Sequence, residues 1–254
     1  MTNKITLTGL MIVKNEVHHI EEAIKSLSFC DEIVVVDGFS TDGTFEKLKS
    51  YSQVTVLQHK FKNFTDQRNF SLKQATKDWI LILDADERIT KALREEILAT
   101  ITNPKGVNGF MIRRQHYFDK KPIRFSGFQT DTTYRLFKNG CVIYDENKLV
   151  HEMPIVSGKS AILKEKMPHY SIASTKNFKA KMEQYAFLKA KELHQKGKKT
   201  TLWHLTIRPF FKFFFNYFIR LGILDGKEGF QICYLQAYGV YYRYKQLQKI
   251  NLST

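Results

Sequence analysis

Between residues 5 and 101 the chain repeats one pattern: a short β-branched apolar run, then a stretch with helical spacing. ITLTGLMIV, DEIVVVDG, QVTVLQ and WILIL are the apolar runs. Between the first two, Val17, Ile20, Ala23, Ile24 and Leu27 recur at three- and four-residue steps, the period of a helix with one buried face. TDGTFEKLKSY, TDQRNFSLKQAT and ITKALREEILATI follow the later runs as three more helices. Strands alternating with helices predict βαβ units and a parallel sheet. The runs are β-branched and continuous, as expected of strands covered on both faces. The alternation stops at Asn103-Pro104-Lys105-Gly106. GFMIRRQHYF, TTYRLFKNG and SAILKEKMPHY then predict antiparallel strands and long loops, and from Lys176 the pattern is helical to the end. The expected class is α/β, with a mostly parallel sheet flanked by helices and a C-terminal helical extension.

Ligands of open parallel sheets bind beyond the carboxyl ends of the strands. Three runs here end in polar signatures: Val13-Lys14-Asn15-Glu16, then Asp37-Gly38-Phe39-Ser40-Thr41-Asp42-Gly43-Thr44, then Asp84-Ala85-Asp86-Glu87. Each alone also reads as a turn or a helix cap, because Asp, Asn, Ser and Thr favour both. Together they mark one sheet edge. Asp84 and Asp86, two residues apart on a strand-end loop, can divide their work. One can accept a hydrogen bond from a ribose hydroxyl while the other ligates a divalent cation. Mg²⁺ and Mn²⁺ favour such hard oxygen donors and complete their shells with substrate phosphates. No GxGxxG or GxxxxGK[ST] element is present, so the usual dinucleotide and P-loop readings lose support.

The ordered set VKNE, DGFSTDGT, DQRNF and WILILDADE resembles the inverting glycosyltransferases of family two, which have the GT-A fold. RLF followed by VHE is similar to the branch that builds lipopolysaccharide core, glucosyltransferases among them, and FFKFFFNYFIRLGILDGKEGF extends that similarity. The resemblance implies a nucleotide-sugar donor, UDP-linked by preference, and a glycan or lipid-linked acceptor. It implies that Asp37 contacts the base, Arg68 the base or phosphates, Asp84 the ribose, and Asp86 the metal, Mg²⁺ or Mn²⁺. Val13, Asn15, Glu16 and Asp42 would shape the same pocket, and His169 would be a second metal ligand. An inverting transfer needs a general base at the acceptor. The resemblance puts Glu152 there, although the family commonly has Asp at that place, so Asp131 stays the second candidate. His151 could orient Glu152 or contact substrate. Arg135 is open between pairing with a core carboxylate and contacting the diphosphate. The implied organisation is a nucleotide-sugar-binding half over 1–105, an acceptor-binding half over 106–175 and a basic, aromatic extension over 176–254.

Charge bears on partners. The formal net charge is +15, and residues 176–254 hold 15 Lys/Arg against 4 Asp/Glu, a net of +11. His204, Arg208, Lys212, Asn216 and Arg220 recur every fourth residue among Trp and Phe, which predicts one helix with a narrow polar stripe. Pro209 either kinks that helix or begins its main segment. A basic amphipathic helix of this kind fits the surface of an anionic membrane, or a second subunit as a homo-oligomer. No apolar run approaches a membrane span, and no signal peptide is read at the start. Cys30, Cys141 and Cys233 form no paired motif. The expected location is the cytoplasm, peripheral on the inner face of the plasma membrane. A sugar-phosphate nucleotidyltransferase is the alternative, but it would want a Gly-rich basic phosphate loop where VKNE stands. A nucleic-acid-binding protein is also weighed against, since the charge lies in an aromatic tail without a recognised nucleic-acid module.

Overall fold

The computed structural model describes residues 4–145 and 153–252. Its first two-fifths follow the expected alternation: β1 (Leu7–Val13), α1 (Ile20–Ser26), β2 (Glu32–Asp37), α2 (Thr44–Lys49), β3 (Val54–Gln58), α3 (Phe64–Leu72), β4 (Trp79–Ile82) and α4 (Lys91–Thr102). Asn63 and Thr90 cap α3 and α4, each accepting from a backbone N–H three residues on. Next come β5 (Val107–Phe118), β6 (Lys121–Pro122), β7 (Thr132–Lys138), β8 (Val142–Tyr144), β9 (Pro154–Val156) and β10 (Lys159–Ile172). The main sheet runs β10-β5-β7-β4-β1-β2-β3, with β6 on β5, and β8 pairs with β9 separately. β4, β1, β2 and β3 are parallel, while β7 is antiparallel to both β4 and β5.

Side-chain alternation explains why the central parallel strands carry apolar residues on both faces. Leu7, Met11, Ile33, Val35, Trp79 and Leu81 point to one face, where Ile20, Ala23, Ile24 and Leu27 cover them. Leu10, Val34, Ile80, Ile82 and, on β7, Phe137 point to the other, under Leu72 and Ala75. Successive residues thus enter two different cores. Because β1, β2 and β4 are parallel, all three polar signatures fall at one edge. The register makes this explicit: Val13 lies beside Asp37, and Leu10 beside Ile82, two residues before Asp84.

The chain divides into two compact units. One holds Met1–Arg114 and Asp131–His169, the other Gln115–Thr130 and Tyr170–Thr254. The second contains α5 (Thr175–Gln195), α6 (Leu202–Leu205), α7 (Ile207–Phe214), a π-helical turn (Phe215–Ile219), a 3₁₀ turn (Gly222–Asp225) and α8 (Gly226–Leu252). Its core joins Ile123, Ile172, Phe178, Ile232 and Leu235. Asp225 ties residues 124–126 to this core. Its carboxylate accepts from the backbone N–H groups of Arg124 (2.9 Å) and Phe125 (3.0 Å) and from Ser126 Oγ (2.7 Å).

The single striped helix expected across Trp203–Arg220 is not what forms. Thr206 has φ −114° and ends α6, and the backbone widens to a π turn at Phe215. Asn216 is buried and donates to Gln236 on α8, so the polar stripe turns inward there. Pro209 lies in the first turn of α7, where a missing N–H costs no helical bond. Among the described residues no helix is long and apolar enough to cross a membrane.

Candidate active site

The loop after β4 is organised by one buried cluster. Glu87 is fully buried, and Arg135 on β7 is 4% exposed. Arg135 Nε donates to Glu87 Oε2 (2.9 Å) and Nη2 to Oε1 (2.7 Å), a two-pronged pair, while Nη2 also donates to Asp84 Oδ2. Arg68 on α3 donates to the other Asp84 oxygen (3.0 Å) and lies over the Tyr144 ring. The loop closes on itself as well. Asp84 N–H donates to Glu87 Oε2 (3.1 Å), and Glu87 N–H to the Asp84 carbonyl (3.0 Å). Arg135 was open between a core carboxylate and the diphosphate; its guanidinium meets carboxylates. An arginine inside the apolar TTYRLF strand has to find such a partner, because an unpaired buried charge costs several kcal/mol.

The cluster sets the charge states around it. Burial would raise the Asp84 pKa, but the attraction of Arg135 and then Arg68 outweighs it and holds this carboxyl well below the usual range. Burial pushes the Glu87 carboxyl up, against the pull of Arg135. Arg135 stays protonated, since its two carboxylate partners overcome the desolvation that would lower its pKa.

Asp86 points elsewhere. Its Oδ2 lies 3.2 Å from His169 Nε2 on β10, with Asp86 23% and His169 11% exposed at the side chain. Two backbone links bring β10 to this loop: a bridge between Glu87 and His169, and a bond from Arg88 N–H to the Pro168 carbonyl (3.0 Å). A carboxylate oxygen and an imidazole nitrogen side by side are two donors of the kind that could hold a divalent cation. Substrate phosphate oxygens and water complete such shells for Mg²⁺ and Mn²⁺, and the imidazole, the softer donor, favours Mn²⁺ of the two. Among the described residues no three His, Cys, Asp or Glu side chains gather around one point.

The other two strand ends form a separate hydrogen-bonded layer. Asp37 is buried and accepts from Ser40 N–H (3.0 Å) and from Gln58 Nε2 (3.1 Å). Asn15, in the left-handed region at φ 58°, donates its N–H to Ser40 Oγ (2.8 Å) and accepts from Thr41 N–H (2.8 Å). Asp42 accepts from Val17 N–H (3.1 Å) and Thr44 N–H (3.0 Å), and Glu16 N–H donates to Thr44 Oγ1 (2.9 Å). Val13 is buried beside Asp37. These residues lace the first and second strand ends together, and Phe39, at φ 59° and 52% exposed, stands at the rim.

On the antiparallel side, Asp131 takes both oxygens to Arg114, at 3.0 Å to Nε and 2.8 Å to Nη2. A carboxylate clamped in this way has its strongest acceptor positions occupied. Glu152 and His151 lie outside the described residues. Arg114 was not anticipated. Besides Asp131 it approaches Glu87 Oε1 at 3.9 Å, and with Arg68, Asp84, Arg135 and Tyr144 it lines a cavity of about 290 Å³. The available signal was the Arg113-Arg114 pair within an apolar strand, where alternation turns one of the two toward the loop cluster.

The comparisons with known proteins agree with this architecture. The family model "Glycosyl transferase family 2" matches residues 10–166. A glycosyltransferase of Rickettsia conorii, described as uncharacterised, is 29% identical over 100% of this chain and 93% of its own. The lipopolysaccharide core biosynthesis glycosyltransferase LpsC of Rhizobium meliloti is 27% identical over 96% of this chain and 95% of its own. Two solved structures share the fold at low identity. Mannosyltransferase PcManGT from Pyrobaculum calidifontis, in complex with GDP-Man and Mn²⁺, gives a TM-score of 0.54 at 15% identity, covering 100% of this chain and 76% of that one. S. aureus TarS gives 0.52 at 16%, covering 96% and 55%.

Proposed function

The chain belongs to glycosyl transferase family 2, and from that membership we propose a metal-dependent inverting hexosyltransferase that takes its sugar from a nucleoside diphosphate. The observation carrying the proposal is the Asp86–His169 pair at the C-terminal end of the parallel strands. There the two residues would hold Mg²⁺ or Mn²⁺, which would neutralise charge on the departing diphosphate. PcManGT, which shares the fold, was solved with GDP-Man and Mn²⁺. UDP is our first choice of nucleotide for this chain. Asp84 is fixed and kept ionised by Arg68 and Arg135, and it presents an acceptor to the ribose. Asp37 and the Asn15–Thr44 layer shape the base pocket, with Arg68 beside it. Glu152 is the proposed general base, taking the acceptor hydroxyl proton as the sugar transfers with inversion. Asp131, in a two-pronged pair with Arg114, is the second choice.

The acceptor we propose is a glycan or a lipid-linked glycan of the cell envelope, met at the inner face of the plasma membrane. Support comes from LpsC, a lipopolysaccharide core transferase similar along nearly the whole chain.

Titration calorimetry with UDP and GDP, each with and without Mn²⁺, tests the donor side. Tight binding that needs the metal and is lost in Asp86→Ala is the expected result. Metal-independent binding, unchanged in that variant, would remove the assignment. Glu152→Gln should bind donor normally and transfer at least about a hundredfold more slowly.

A further inference from the structure

The second unit contains a groove that the transferase chemistry leaves unused. It has a volume of about 660 Å³ and lies between α7 and α8. Three cationic side chains reach it and no carboxylate lines it: Arg208 and Lys212, one turn apart on α7, and Arg243 on α8. Trp203, Phe211 and Phe215 supply the apolar wall. Arg208 donates to the Tyr244 hydroxyl and lies over the Tyr244 ring. Arg243 Nε is buried without a hydrogen-bond partner among the described residues. Burial lowers the Lys212 pKa, and Arg220 and Arg243 add to that while Cys233 opposes it. Three positive charges gathered in a partly dehydrated pocket repel one another, and an anion entering between them relieves that cost.

The surroundings say what kind of anion. Trp203 is 59% exposed, Phe210 68% and Phe211 61%, so the groove opens onto a large apolar surface. A soluble phosphate has no use for that surface, whereas a phosphate carrying an acyl tail uses both. We propose that this groove binds the phosphate headgroup of an anionic lipid, with the exposed aromatic side chains of α6 and α7 entering the lipid interface. This inference does not depend on the donor, the metal or the acceptor proposed above.

The full chain supplies its own probe. Of its two tryptophans, Trp79 is buried and Trp203 is exposed, so a lipid-induced blue shift of the emission reports Trp203. Vesicles of phosphatidylcholine containing phosphatidic acid should float with the protein and shift its emission, and phosphatidylcholine alone should do neither. Lys212→Gln combined with Arg243→Gln should lower partitioning at least about tenfold, and Lys212→Arg with Arg243→Lys should keep it. Lys176→Gln with Lys191→Gln removes the same charge from α5 and should cost less than about threefold. Phe211→Ser, which alters an exposed side chain and spares the fold, should weaken binding roughly tenfold. Equal losses from the groove and α5 variants would overturn the proposal, because any basic surface would then suffice. So would full binding by Phe211→Ser, or tight binding of inorganic phosphate without binding of vesicles.

Discussion

Replacing Arg135 with methionine would leave Glu87 buried and without its two-pronged partner, and would take one of two guanidiniums from Asp84. Breaking a buried pair by removing one member costs about 3–5 kcal/mol, whereas replacing both with apolar groups is often neutral. Urea unfolding should therefore show Arg135→Met strongly destabilised and Arg135→Met with Glu87→Leu largely recovered. If the double variant is no better than the single one, Glu87 is not the group left stranded. The same cluster gives a pH signature. The folded Asp84 pKa is depressed, so its stabilisation is complete above the unfolded carboxylate value, about 3.9, and fades as pH falls below it toward the folded value. The stability gap between the parent and Asp84→Asn should narrow below about pH 4. A gap of constant width would show that the guanidiniums do not act on Asp84. At this scale the sequence was readable in residue type and less so in partner. Asp84 and Asp86 stood out by spacing, but the different directions they face depend on two long-range partners, Arg135 and His169, whose approach depends on strand order. Glu87 read as support behind the two aspartates or at a helix start, and it is the buried pivot behind Asp84.

Elements were legible where one period dominated. The parallel strands β1, β2 and β4 and the helices α1 and α4 follow from apolar spacing, because their buried positions face one of two cores, whereas α3 buries Thr65, Gln67 and Ser71. The extension was harder. Its four-residue stripe described one continuous helix, but Thr206, the π turn at Phe215 and the inward Asn216–Gln236 bond divide it. Pro209 in the first turn of α7 marks the first break locally, whereas the inward Asn216–Gln236 bond depends on packing against α8, which no local pattern carries. The start of α8 shows how close that packing is. A Cβ on Gly229 would stand 2.0 Å from the Gly222 carbonyl oxygen and 2.7 Å from Asp225 Cβ. In an unhindered helix Gly→Ala stabilises by about 1 kcal/mol. At Gly229 the sign should reverse, with a loss of about 1–3 kcal/mol as the 3₁₀ turn is forced away and Asp225 moves off the 124–126 backbone. Thermal unfolding of Gly229→Ala measures this directly, and a raised melting temperature would contradict the contact.

Over the whole molecule, charge and chemistry are separated along the sequence. Arg68, Arg114 and Arg135 face Asp84, Glu87 and Asp131, so the cluster around the β4 loop is balanced. The excess is elsewhere: residues 176–254 carry +11 of the net +15. The imbalance was plain in the sequence. The gathering of three of its cations in one apolar groove was not, since Arg208 and Arg243 are brought together only when α7 lies on α8. The two regions should therefore answer differently to salt. Raising ionic strength from about 0.01 M to about 0.15 M shortens the screening length from roughly 30 Å to 8 Å. Partitioning onto phosphatidic acid vesicles, driven by groove cations that no lining carboxylate balances, should fall by about tenfold or more. Nucleotide affinity at saturating Mn²⁺ should change several-fold less, because the arginines beside that pocket already have carboxylate partners at short range. Calorimetry and flotation on one preparation compare the two slopes, and parallel slopes would mean that the excess charge of the extension also governs the nucleotide site.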